Sequence, residues 1–192
     1  VGPVLLAGVR YADLPAVIHG ERRNTWAQTR ERSARLAAAL RSLGVTRLAT
    51  VSVMLHNTPE MVEAHYAVPA LNAVLNTLNA RLDAALLAWQ MNHCEAQVLI
   101  TDREFAPVMV EALRLLHDVH GRTPVVIDVA DSEYGGPGDV LGIHEYESLL
   151  AAERGPAAQP RPQAGVRDAR HRRVHQRRAG AREGSGQPRC RA

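Results

Sequence analysis

A chain of 192 residues that is 46% apolar is long enough for one sizeable domain or for part of a larger one. It holds no uncharged apolar run of about 18 residues, which excludes a membrane-spanning helix. All 23 basic residues are arginine, which excludes any chemistry of this chain that needs a lysine.

The net charge of +3 hides an asymmetry. Residues 1–160 carry 13 Arg and 18 Asp or Glu, a balance of −5; residues 161–192 carry ten Arg and two acids, a balance of +8. The body is mildly acidic and the basic character belongs to the tail. Cys94 and Cys190 lie far apart in unlike contexts, so no disulfide framework is expected and a reducing cytoplasm is the expected location. The opening VGPVLLAGVRYADLPAV lacks the basic segment and the cleavage site of a signal peptide, so mature sequence is expected there. With Val1 first, the coding start is expected upstream or at a non-standard codon.

In chain order, PAVIHG (15–20) reads as a short apolar strand and ERRN as a turn. Thr25-Trp26-Ala27-Gln28 has the form of a capping box, in which the Thr hydroxyl accepts a backbone N–H and Gln28 reaches back. The helix behind it carries Ala34, Leu36, Ala37, Leu40 and Leu43 on one face, and Gly44 supplies a left-handed stop. TVSVML (50–55) is a strand. Thr58-Pro59-Glu60 opens a helix, with Pro59 where its missing N–H costs nothing; Met61, Val62, Ala64, His65 and Val68 carry it to Pro69. NAVLN (72–76) is a strand, Asp83 caps a helix over 84–93, and AQVLIT (96–101) is a strand. Asp102 begins a turn into a helix over 104–116. PVVIDV (124–129) is the last clear strand, ADSEYGGPGD a loop, and EYESLLAAE (145–153) a short helix.

Short strands separated by helical patterns of 10 to 20 residues imply βαβ units and a parallel sheet in an α/β fold. The pattern stops near Gly155. The expected organisation is an α/β domain over 1–155 and a Pro/Arg-rich tail over 156–192, which shows no structural period and is expected to be disordered.

No residue cluster declares a reaction. GGPG (135–138) is a turn and not a dinucleotide fingerprint, and a Walker loop would need a lysine. Ser185 in EGSGQ has no strand before it. His93-Cys94 lacks a second ligand pair, and His117 and His120 lack further zinc ligands. His171 and His175 stand among arginines, a poor setting for a cation. The pairs Glu60/Glu63 and Glu145/Glu147 read as solvated helix faces and not as acid–base dyads. No catalytic residue, cofactor-binding residue or metal ligand is assigned.

The segment MLHNTPEMVEAHYAVPALNAVLNTLNARLDAALLAWQMNHCEAQVLITDREFAPV (54–108) resembles the N-terminal part of the AMP-forming acyl-CoA synthetases, the adenylate-forming ligases. It is most similar to their medium- and long-chain fatty acyl branch. RYADLPAVIHGERRNTWAQTRERSARLAAAL (10–40), VVIDVADSEYGGPGD and YESLLA extend the likeness, which covers about residues 10–160. The resemblance implies a partial N-terminal α/β subdomain of that fold. It also implies, for the family, activation of a fatty acid with ATP and Mg²⁺ to an acyl-adenylate, then transfer to coenzyme A. The family holds the phosphates with a Ser/Thr/Gly-rich loop and stabilises developing charge with a lysine of a small C-terminal domain. Neither matches a position here, so the chain alone is expected to be inactive and to hold no cofactor. His65, Asn76, Asn79 and Arg81 fall in well-matched segments and are expected to pack or orient the scaffold, with pocket lining as the lesser alternative.

Two readings of the tail stay open. Shifted by one base, His175-Gln176-Arg177 written as CAC-CAG-CGG and followed by C becomes ACC-AGC-GGC, or Thr-Ser-Gly, so the tail reads as an out-of-frame continuation of the gene. The alternative is a basic-tailed binding module for nucleic acid or anionic surfaces; the tail lacks interleaved aromatics for base stacking, so nucleic acid is the lesser expectation. A partial sheet is further expected to leave an apolar edge and face uncovered.

Overall fold

The computed structural model describes residues 7–153; the tail, with Ser185, His171, His175 and Cys190, lies outside them. The first two strands are β1 (Pro15–His19) and β2 (Arg22–Thr25), paired antiparallel with His19 opposite Arg22 and Ile18 opposite Arg23. The turn between them passes through Gly20 at φ 54°, a left-handed value that favours glycine. The strand expected at 15–20 is present, and one reading is corrected. The expected turn ERRN contributes a strand, and the first strand forms a two-stranded ribbon and not part of the main sheet.

Helix α1 (Trp26–Ser42) begins at the expected capping box: the Gln28 N–H donates to Thr25 Oγ1 at 3.3 Å and the Thr25 N–H to Gln28 Oε1 at 2.8 Å. Gly44 follows its end at φ 90°. Next come β3 (Thr50–Met54), α2 (Pro59–Ala70) with Pro59 in its first turn, and β4 (Val74–Thr77). Helix α3 (Ala84–His93) is capped by Asp83, whose carboxylate accepts the Leu86 N–H at 2.9 Å. After β5 (Ala96–Asp102) a 3₁₀ turn over Arg103–Phe105 precedes α4 (Ala106–His120), which starts later and ends later than the sequence suggests. The helix runs on to the left-handed Gly121, φ 64°. Strand β6 (Val125–Val129), the two-residue β7 (His144–Glu145) and α5 (Tyr146–Ala152) complete the order. β7 falls where the sequence suggested loop and helix.

Strands β4-β3-β5-β6-β7 form one sheet in that order, every pairing parallel. The two-residue side-chain period of a strand divides it between two cores. Val51, Val53, Val98, Ile100, Ile127 and Val129 point to one face, where Leu36 and Leu40 of α1, Ala64 and Val68 of α2, and Leu150 of α5 cover them. Met54, Leu99 and Val126 point to the other, under Leu87 and Met91 of α3 and Met109 and Leu116 of α4. Each buried Leu or Ile contributes about 2 kcal/mol. Neither face is left bare, contrary to the sequence-based expectation; β4 and β7 are the open edges. Among the described residues no helix is long and apolar enough to cross a membrane.

Candidate functional site

In a parallel sheet of this order the chain leaves β3 for β4 on one side and then crosses to β5, β6 and β7 on the other. Ligands of open α/β sheets bind beyond the carboxyl ends of the strands, where this reversal opens a crevice. The polar side chains gather at that end. After β3, His56 Nε2 lies 3.2 Å from Glu104 Oε1, and its ring sits 4.9 Å from that of Phe105. At the end of β5, the Asp102 carboxylate accepts the N–H groups of Glu104 at 2.8 Å and of Asp131 at 3.2 Å. Burial raises the Asp102 pKa above the ordinary carboxylate value, against the lowering effect of those two N–H donors. In β6, Asp128 accepts from Leu141 N at 2.9 Å and Gly142 N at 2.7 Å. These carboxylates shape loops.

The larger cleft, about 330 Å³, is lined by Arg22, Asn24, Arg32, Glu60, Ser132 and Glu147 among others. Its charges are paired. Arg22 Nη1 lies 2.8 Å from Glu60 Oε1. Arg32 donates from Nε to Glu63 Oε1 at 2.6 Å and from Nη1 to Glu147 Oε2 at 2.8 Å. The Tyr146 hydroxyl donates to Glu63 Oε2 at 2.8 Å. Burial raises the Glu63 pKa in spite of Arg32, and raises that of Tyr146 with Glu63 adding to it. The hydrogen bond from Arg32 leads the effects that hold Glu147 below the ordinary value. Glu60 and Glu63 are thus buried, at 2% and 1% exposure, and Glu145 caps α5 by accepting from Glu147 N and Ser148 N. The reading of Glu60 and Glu63 as a solvated helix face is corrected, since both carboxylates are buried against arginines; Glu147 is exposed, at 53%, and Glu145 is half-buried. A second cavity of about 160 Å³ is lined by Asp102, Arg103, Asp131 and Tyr134 with Gly136 and Gly138.

The residues singled out in the best-matched segments do not meet at either cavity. The ring of His65 lies on α2 with Nδ1 2.8 Å from its own Met61 carbonyl. Asn76 donates to Ser52 Oγ at 2.9 Å and to Cys94 Sγ at 3.3 Å, joining β4 to β3 and to the end of α3. Asn79 accepts the Arg81 N–H at 3.0 Å in the turn before α3. His93 stacks on Trp89, rings 5.1 Å apart, and His117 Nδ1 lies 3.2 Å from Thr123 Oγ1. Among the described residues no three His, Cys, Asp or Glu side chains are placed to hold a metal ion. The network of Arg32, Glu63, Tyr146 and Glu147 escaped the sequence reading. Its one sequence signal was a pair of glutamates on a helix face otherwise rich in alanine.

The parallel sheet with helices on both faces and polar side chains collected at its carboxyl end defines an open-sheet α/β domain. A family model described as "AMP-binding enzyme" matches residues 7–163, and the chain belongs to that family. The peroxisomal butyrate–CoA ligase AAE11 of Arabidopsis thaliana is 46% identical over 106 residues, which is 55% of this chain and 18% of the relative. The peroxisomal acetate/butyrate–CoA ligase AAE7 of the same plant is 38% identical over 152 residues, 76% of this chain and 27% of the relative. A solved benzoate CoA ligase from Burkholderia xenovorans LB400 superposes with a TM-score of 0.65 at 22% identity, covering 84% of this chain and 29% of that one. The anthranilate CoA ligase AuaEII, solved with anthranoyl-AMP, gives 0.64 at 20% identity, covering 78% and 27%. At such identities the superpositions establish the fold: a mostly parallel α/β subdomain of the adenylate-forming ligases. The chain spans 18% to 29% of the length of these proteins.

Proposed function

We propose that the chain is an N-terminal scaffold portion of a CoA ligase and by itself catalyses no adenylation. The whole enzyme would activate a carboxylic acid with ATP and Mg²⁺ to an acyl-adenylate, release pyrophosphate, and pass the acyl group to the thiol of coenzyme A. One observation carries the proposal for this chain. Arg22 and Arg32, the guanidinium groups at the larger cleft, are already matched by Glu60, Glu63 and Glu147. Stabilising a reacting phosphate needs donors and positive charge aimed at the oxygens where charge develops; a neutralised cleft does not supply them. The residues of this cleft therefore do not fit ATP–Mg²⁺, and the chain has no lysine to help.

The acid is proposed to be a fatty acid, as the segment 54–108 suggests, within the wider class of monocarboxylates. The relatives bear the names butyrate, acetate/butyrate and benzoate. A cytoplasmic location belongs to the same proposal; several relatives are named peroxisomal, so localisation of a tagged full-length gene product decides it. The domain limit near residue 155 and the out-of-frame origin of the tail complete it. Two measurements test the reading. ATP–pyrophosphate exchange by the purified chain with butyrate, octanoate or benzoate should stay at background while an intact relative exchanges; exchange by this chain overturns the inactivity. The nucleotide sequence beyond codon 160 should continue as a ligase in another frame; no such continuation overturns the truncation.

A further inference from the structure

Glu60, in the first turn of α2, is 2% exposed and lines the larger cleft. Its Oε1 is held by Arg22 Nη1 at 2.8 Å. Its Oε2 is buried and has no hydrogen-bond partner among the described residues. A buried carboxylate oxygen without a donor is costly. The cleft beside it measures about 330 Å³, far more than the roughly 30 Å³ share of one water molecule. From this juxtaposition we propose that the cleft binds a small primary ammonium compound bearing a hydroxyl group, whose N–H groups donate to Glu60 Oε2.

Charge selects the ligand. Glu60, Glu145 and Glu147 line the cleft against Arg22 and Arg32, one carboxylate more than there are guanidinium groups. Behind them Glu63 takes a share of Arg32 as well. The excess repels an anion and attracts a cation. Arg22 fixes the Glu60 carboxylate through one oxygen, so the second is oriented before any ligand arrives and costs little to order on binding. A bond from an ammonium N–H to a carboxylate is charge-assisted and about twice as strong as a neutral one. A quaternary ammonium carries the charge but no N–H, and a diol carries donors but no charge. Only the primary ammonium meets both demands of the unpartnered oxygen.

The fold places this cleft where open α/β sheets receive ligands. Val129, the last residue of β6, and Ala130 after it form part of the wall, so the cleft lies at the carboxyl end of the parallel strands. Asn24 of β2 adds an amide to the lining and Ser132 a hydroxyl. Both groups can donate and accept, which suits the hydroxyl of the ligand. This ligand is distinct from the acid, ATP and coenzyme A of the ligase reading, and either can fail while the other stands.

Titration of the full chain with ethanolamine, followed by amide NMR shifts at constant ionic strength, tests the site. The amides of Asn24, Ser132 and Glu147 should shift saturably with a Kd of about 1 to 10 mM, while those of β3 and β5 stay in place. Choline, which lacks the N–H groups, and ethylene glycol, which lacks the charge, should each bind at least about tenfold more weakly. Glu60→Gln sets an amide N–H₂ against the ligand and should also weaken ethanolamine by about tenfold or more, with the β3 and β5 amides reporting an intact fold. Should that variant fail to fold, Asn24→Ala, at the lining but half-buried, should weaken it by about fivefold. Shifts that grow without saturating mean that solvent water alone completes Glu60 and overturn the site. So does choline or ethylene glycol binding as tightly as ethanolamine, or an affinity unchanged in Glu60→Gln, or in Asn24→Ala where that variant stands in.

Discussion

Tyr146 and Glu63, 83 residues apart in sequence, meet inside the protein through a 2.8 Å hydrogen bond from the phenol to the carboxylate. Both are almost wholly buried. Glu63 spends its other oxygen on Arg32, which in turn reaches Glu147. Three helices, α1, α2 and α5, are fastened by this one polar network over an apolar floor. Removing the cation strands a buried carboxylate, which costs far more than the pair contributes when intact. Arg32→Ala should lower stability by about 3 kcal/mol and Tyr146→Phe by about 1 to 2 kcal/mol. Urea denaturation followed by circular dichroism measures both. A cost for Arg32→Ala no larger than that of an exposed pair would show that the network adds nothing.

The same network fixes a pH dependence. Burial is the leading influence on Glu63 and raises its pKa above the ordinary 4.5, against Arg32 and the Tyr146 hydroxyl. A carboxyl raised in the folded state adds stability at pH below its unfolded value, and that contribution is lost as pH rises through the folded pKa. Glu147, held below the ordinary value chiefly by Arg32, acts in the opposite sense and loses its contribution as pH falls. Glu63→Gln should therefore flatten the decline in stability just above the ordinary carboxylate range and leave the acid limb in place. Denaturation midpoints measured as a function of pH would show it; an unchanged profile above that range refutes it.

Gly142 sits where the loop before β7 crosses β6. A Cβ at that position would lie 2.2 Å from the Val126 carbonyl oxygen, a backbone atom held in the sheet that has no room to retreat. Gly142→Ala should cost about 2 kcal/mol or more, and it should loosen the two N–H groups that Asp128 holds. Thermal melts give the cost, and amide exchange at Leu141 and Gly142 locates it. A neutral substitution would mean that the crossing is looser than the geometry states.

The cap of α1 gives a smaller effect. Thr25→Ala removes the acceptor for the Gln28 N–H and should cost about 1 kcal/mol. Gln28→Ala removes the reciprocal bond to the Thr25 N–H. Because the two bonds close one box, the double variant should cost less than the sum of the singles, as a double-mutant cycle by urea denaturation would record. Strict additivity would argue against the box acting as a unit.

The capping box, Pro59 at the head of α2, Asp83 at the head of α3 and the apolar runs of β3, β5 and β6 were legible in the sequence. Each rests on residues within four positions of one another or on a strand buried on both faces. β2 was not legible, because RRNT has no apolar alternation and becomes a strand only through its pairing with β1 across Gly20. β7 is two residues long, below what any period can reveal. The cleft network was hidden for a related reason. Glu63 on α2 looks like a solvated face until Arg32 and Tyr146 are brought to it from 31 and 83 residues away. Family likeness supplied the fold, but local patterns could not supply partners set by tertiary contact.

Because Arg32 grips α2 with one hydrogen bond and α5 with others, the two extremities of the domain are mechanically one piece. A protease that cut the exposed run around Gly135 would sever the covalent path between them and yet release neither fragment. The nicked molecule should travel through a sizing column as though whole.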